Sequence, residues 1–156
     1  MIEYDKRLII EKLVSQLEQK TQIIAKAAEN ARQDSIVAEG RMQTRYGSEK
    51  EESGYLADGL MMRRNSVEQG IGVLSKLQLP ENPERVTSGT LVRVREGSDL
   101  SYYFVLPYGG GETLEINGGE ITILSPVSPI AKAMVNKRRG ENFPFGRMQY
   151  TIDDLK

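Results

Sequence analysis

From Asp5 to about Arg41 the chain contains no proline, and its first glycine is Gly40. A stretch so free of breakers admits a long helix and little else. Ile10, Leu13, Leu17, Ile24, Ala27, Ala31 and Ala38 keep a spacing of three and four, interrupted by Lys20 and Asp34. A 3.6-residue period gathers them on one stripe and leaves the intervening lysines, glutamates and glutamines facing water. About 35 helical residues span roughly 50 Å at 1.5 Å per residue, too long to be buried against a small globule. The stripe therefore needs a second helix.

That helix is expected from near Ser48 to about Leu77, with the bend at residues 41–47. Ser48 followed by Glu51 is a capping-box pattern, in which each side chain satisfies an otherwise free amide. Tyr55, Leu56, Met62, Val67, Ile71 and Leu74 supply its apolar positions. Alanines on the first helix permit close approach near the bend, and leucines and isoleucines give bulkier contacts at the other end. Leu79-Pro80-Glu81-Asn82-Pro83 stops the second helix, because proline lacks an amide donor and clashes with the preceding turn.

Beyond Pro83 the period changes to two. Strand-like runs occupy residues 86–94, interrupted by Ser88-Gly89, then 102–106 and 120–124, with Gly109-Gly110-Gly111 and Asn117-Gly118-Gly119 as turns. Ser128 and Pro129 predict the cap and first turn of a short helix reaching about Lys137, which Gly140 stops. Residues 148–152 read as a last strand. The expected fold is α+β: an antiparallel helical hairpin over residues 1–79, then a small β-sheet domain with one short helix over 80–156.

Composition narrows the chemistry. The chain has 156 residues, no cysteine and no histidine, which removes thiolate chemistry, the common zinc ligands and the usual neutral-pH acid–base group. Any metal would need oxygen ligands, as Mg²⁺, Mn²⁺ or Ca²⁺ accept. With 21 basic and 22 acidic residues the net charge is −1, which disfavours a nucleic-acid duplex as the main partner. The N-terminal MIEYDKRLIIEKL is too charged for a signal peptide, and no apolar run reaches the roughly 18 residues of a membrane span. A cytoplasmic location without membrane contact is the expectation.

Several local words resemble the bacterial transcription elongation factors of the GreA/GreB family. Ser128-Pro129-Ile130-Ala131-Lys132-Ala133 is similar to the family's SPLGRAL-type word, with Ala131 where glycine is usual, and Lys137 and Gly140 follow it. Residues 91–94 and 121–124 resemble the flanking strands. Gly47-Ser48-Glu49-Lys50-Glu51-Glu52-Ser53-Gly54-Tyr55 resembles the family's hairpin-tip word GDLSENAEY. The resemblance spans nearly the whole chain and is most specific in the C-terminal word. It implies an FKBP-like C-terminal domain that docks at the rim of the side channel of DNA-directed RNA polymerase. It also implies a hairpin that enters the channel, where tip acids help hold a catalytic Mg²⁺ of the polymerase while it cleaves its own backtracked RNA.

Such a factor is an accessory, not an enzyme, and binds no cofactor alone; the Mg²⁺ is shared with the polymerase active site. Aligned on Tyr55, Glu51 takes the place of the family's tip glutamate and is the expected metal ligand. Ser48 stands where the family has aspartate, with Glu49 and Glu52 nearby. Arg41 and Arg45 beside the bend, and Lys132, Lys137, Arg138 and Arg139 in the C-terminal domain, are candidate contacts with polymerase or RNA. For the same acids the plain alternative is a solvated helix start, favoured by the helix dipole. The alternative for the whole chain is a coiled-coil interaction module without cleavage-stimulating activity. Oligomeric state and polymerase specificity are not legible in the residues.

Overall fold

The computed structural model describes the backbone of residues 2–41 and 47–156, and the side chains of residues 2–34 and 56–156. Two long helices, α1 (Lys6–Arg41) and α2 (Gly47–Ser75), form a helical hairpin. Six strands and one short helix follow: β1 (Leu91–Glu96), β2 (Asp99–Val105), β3 (Thr113–Ile116), β4 (Gly119–Leu124), α3 (Pro129–Met134), β5 (Asn142–Phe145) and β6 (Met148–Leu155). The expected α+β class is the observed one. By contacts the chain divides into a unit of Met1–Val14 with Gly72–Lys156, and a unit of Ser15–Ile71.

Asp5 caps α1: its side-chain Oδ1 accepts from the Arg7 amide at 2.9 Å, and its carbonyl accepts from the Ile9 amide at 3.1 Å. Helix α2 begins at Gly47 and so already contains Ser48. It ends at Ser75, two residues short of the expected Leu77, where Lys76 and Leu77 donate to carbonyls only three residues back. Such tight terminal turns are the usual way an α-helix closes.

Among the described residues of the unit Ser15–Ile71, Leu17, Ala28 and Ala31 of α1 and Ala57, Val67 and Gly70 of α2 are buried. Half-buried Thr21 and Ile24 complete the first stripe, and half-buried Leu60, Arg64 and Ile71 the second. Both stripes differ from the sequence expectation by one position in places. Ala28 is buried where Ala27 was expected, and the step of four from Leu17 to Thr21 carries the stripe past Lys20. Thr21 tolerates this place because its hydroxyl donates to the Leu17 carbonyl at 3.0 Å. On α2, Leu56 and Met62 are 58% and 73% exposed, while Ala57 is buried. One residue of shift rotates a side chain by about 100°, and the small alanine takes the inward position. The side chains of Tyr55 and Ala38 lie outside the described residues.

In the other unit the sheet order is β3-β4-β2-β1-β6-β5, with β2 and β4 parallel and every other pair antiparallel. Strands β3 and β5 were not anticipated; both are four-residue edge strands. One face of the sheet carries Val92, Val94, Val105, Leu124, Phe143 and Ile152, packed in one core with Ala131 and Met134 of α3. The alternate residues Leu91, Phe104, Ile121 and Ile123 are fully buried on the opposite face. Ile2, Ile9, Leu13 and Leu74 are buried in the same unit, and the Tyr4 ring packs edge-on to Tyr102 at 4.9 Å. A Cβ on Gly109, at φ +89°, would lie 3.0 Å from a Leu13 methyl, so the glycine turn lets α1 sit close to the sheet.

Candidate functional site

The C-terminal candidate site is assembled around the start of α3. Strand β4 ends at Leu124, and Ser125-Pro126-Val127 turns the chain. Ser128 sits in extended conformation (φ −66°, ψ 150°), and its Oγ accepts from the Ala131 amide at 3.4 Å while donating to the Ser125 carbonyl at 2.8 Å. Pro129 occupies the first helical turn, where its missing amide costs nothing. Ser128 is therefore a cap, as its sequence context predicts. The helix closes at Met134, before the expected Lys137, because Val135 leaves the helical region and Asn136 turns to φ 63°.

This early stop places the basic residues on two elements. Lys132 is exposed on α3, whereas Lys137, Arg138 and Arg139 lie in the turn between α3 and β5. The turn is held from several sides. Val86 donates to the Lys137 carbonyl at 2.9 Å, and the Arg138 amide donates to the Glu141 carboxylate at 2.8 Å. The Gly140 amide donates to the Ile152 carbonyl at 2.7 Å, with Gly140 at φ +86°. Arg139 ion-pairs with Asp154 at 3.6 Å. Burial pushes the Asp154 carboxyl up, but the Leu155 amide and the Arg139 guanidinium outweigh it and hold its pKa below the ordinary value. Arg139 pairs with buried Asp154 although its own side chain is 68% exposed, and Lys132 and Arg138 are exposed as well. The four basic residues share one region of the chain.

A bulge in β6 explains the acidic side of this sheet. Arg93 pairs with Asp154 while Val94 pairs with Ile152, so Asp153 is the extra residue. Its carboxylate meets Arg93 at 2.5 Å and Arg95 at 3.4 Å. These ion pairs tie β1 to β6.

In the unit Ser15–Ile71, Arg64 occupies a seam position of α2 and pairs with Glu68 at 3.2 Å. Glu18, Thr21, Gln22, Arg64, Glu68 and Ile71 line a shallow cavity of about 400 Å³. Thr21 and Arg64 bring polar groups into the seam. Polar residues at such positions fix the register of paired helices at some loss of stability.

The side chains of the hairpin-tip candidates Ser48, Glu49, Glu51 and Glu52 and of Arg41, and the whole of Arg45, lie outside the described residues. Among the described residues no group of three or more acidic side chains could hold a metal ion, and no helix is long and apolar enough to cross a membrane. Sequence reasoning missed Lys6, which is buried and lines a pocket of about 370 Å³. Lys6, Ile9 and Leu13 recur at helical spacing on one buried stripe of α1.

No protein-family model matches the chain, and no curated protein matches it. Among solved structures, GreA factor homolog 1 (Gfh1) of Thermus thermophilus is similar over 92% of this chain and 94% of its own, at 17% identity and a TM-score of 0.37. A further structure, of the transcription factor Gfh1, is similar over 91% of this chain and 92% of its own, at 17% identity and a TM-score of 0.38. Gfh1 of Thermus aquaticus is similar over 93% and 92%, at 18% identity and a TM-score of 0.36. At such identities and TM-scores the likeness says nothing of what this chain binds.

Proposed function

We propose that this chain is an RNA polymerase-binding regulator of transcription elongation, of the GreA/GreB kind, which docks through its sheet-bearing portion and places its hairpin in the polymerase side channel. The observation that carries the reading is the Ser128–Ala133 word, which resembles the family's most specific motif and folds as a capped helix start beside Lys132 and Arg138. The helical hairpin, of 36 and 29 residues, is the second support. At 1.5 Å per residue helices of these lengths run roughly 54 and 44 Å, a reach that suits a channel.

The role of the tip is to assist the partner's chemistry. Mg²⁺ demands a near-octahedral oxygen shell, and two carboxylates on a narrow support can complete a shell that the polymerase begins. Here Glu51 stands in the family's glutamate position, but Ser48 replaces the aspartate with a neutral, weak ligand. Occupation of the channel and stimulation of RNA cleavage are therefore separable outcomes of one binding mode. Glu49 and Glu52 add negative charge without matching the missing position.

Capture of the full chain by purified core polymerase at low and moderate salt tests the proposal. Binding is expected, and its absence at both salts removes the reading. A cleavage assay on a stalled, backtracked complex then separates the outcomes. Glu51→Gln lowers cleavage if Glu51 supplies a ligand, and Ser48→Asp raises it by restoring the pair. If neither variant changes cleavage, the metal role is withdrawn and channel occupation alone stands. Partner capture that survives deletion of residues 41–55 but involves a protein other than polymerase would favour a plain coiled-coil interaction module.

A further inference from the structure

The sheet face on which α3 packs is left partly open. Tyr103 of β2, Phe145 of β5 and Tyr150 of β6 pack against its core but are only half-buried. Met148, the cross-strand partner of Phe145, is 49% exposed on the same side. The Tyr150 ring is held in place by stacking on Phe143, with centroids 5.5 Å apart and planes 21° apart. This leaves an aromatic surface at the level of the β1–β2 and β5–β6 turns.

Two carboxylates rim that surface. Glu96 and Asp99 flank the Gly97-Ser98 turn and are direct cross-strand partners, so both side chains leave the sheet on one side. Alternation along β1 puts that side with Val92 and Val94, on the face that carries the aromatic residues. The register of Arg95 with Thr151 sets Glu96 beside Tyr150. Burial, then the neighbouring Tyr150 and Glu96, raise the Tyr103 pKa above the ordinary phenol value, with the Ser101 hydroxyl pulling the other way. Like charges directly opposite each other destabilise a strand pair. Among the described residues no lysine or arginine forms an ion pair with Glu96 or Asp99. Arg95 pairs instead with Asp153, and Arg147 stands exposed in the β5–β6 turn.

Aromatic faces attract cations, and two carboxylates at the rim select for the same charge. A guanidinium suits the surface better than an ammonium, because its plane stacks on a ring and its fork reaches two carboxylates. A nucleotide stacking on the same rings would bring its phosphate against both acids. We propose that this face docks an arginine side chain on an extended segment of a partner protein, the guanidinium stacking on Tyr150 and meeting Glu96 and Asp99. The α3 corner offers bases where this face offers acids, so the two call for partner surfaces of opposite charge. The inference does not rest on the polymerase reading.

The test is a titration of the full chain at low salt, followed by amide NMR, with acetyl-Gly-Arg-Gly-amide. The control peptide carries citrulline, which keeps the shape of arginine and lacks its charge. Saturable shifts are expected at the amides of residues 96–103 and 148–150, with the citrulline peptide at least about fivefold weaker. Glu96→Gln and Asp99→Asn, both at the margin of the sheet, are each expected to weaken the arginine peptide by about three- to fivefold. An amide spectrum unchanged away from the turn verifies that each variant is folded. Equal affinity for the two peptides, no saturable shift, or full affinity in both variants overturns the proposal. A short oligouridine that shifts the same amides at lower concentration than the arginine peptide also overturns it, in favour of a base-stacking surface.

Discussion

Ser128 makes two bonds at one corner, accepting from the Ala131 amide and donating to the Ser125 carbonyl. Ser128→Ala removes both and is expected to destabilise the fold by about 1–2 kcal/mol in denaturant titration, the usual cost of a lost cap. Gly110 is constrained differently. A Cβ there would come within 2.9 Å of the Ser125 amide nitrogen, so Gly110→Ala should also destabilise the fold, and the corner before α3 should lose amide protection in hydrogen exchange. Lys6 has a proton-linked signature. Because folding lowers its pKa from 10.5 to about 8, the folded chain holds fewer protons than the unfolded chain between those values. Stability should therefore rise with pH across about 8 to 10.5, the gain being absent below that window, and Lys6→Met should flatten the rise. Equilibrium denaturation at pH 7.5, 9 and 10 checks the sign. The cap at Ser128 was legible because Ser-Pro before a helical run has one local solution. The burial of Lys6 was harder to read, since a lysine usually overrides its place on a stripe by reaching water.

At the level of elements, alanines set how the helices of the hairpin approach. Ala28, Ala31 and Ala57 are at most 5% exposed, so there is no room for a longer side chain without movement of the helices. Ala31→Leu should lower the stability of the unit Ser15–Ile71 by about 1–3 kcal/mol, whereas Met62→Gln on the exposed face should be nearly neutral. Thermal melts of the two variants decide between this seam and one running through Met62. The existence and type of α1 and α2 were legible from their lack of proline and their spacing. Their inward faces were not fully legible, because alanine beside leucine gives a weak period, and Thr21 and Arg64 occupy seam positions with polar groups. Strands β3 and β5 escaped notice for a related reason. They are four-residue edges, and Pro144 in β5 is tolerated only because an edge strand leaves amides unpaired. Short edges of this sort protect a sheet from pairing with other chains and carry little pattern to detect.

At the scale of the whole molecule, one chain carries a helical hairpin and a mixed sheet whose α3 corner bears exposed basic side chains. With the chain near neutral overall, the proposed docking would rest on local charge. Lys132→Glu with Arg138→Glu is expected to weaken polymerase binding at least about tenfold without unfolding the protein, because exposed charges cost little stability. Arg139→Glu should also disturb the fold, since its partner Asp154 is buried. The class of fold followed from composition and period; the proposed partner rests only on the resemblance of two short words, one of which lies on residues 47–55 outside the described side chains. The most direct test is a photo-crosslinking residue at position 51, in the chain bound to a backtracked polymerase complex. Crosslinks to the displaced RNA 3′ end or to the residues around the polymerase's catalytic metal are predicted. Crosslinks confined to the outer surface of the polymerase, or none above the level of free polymerase mixed with an unrelated hairpin, would contradict the account.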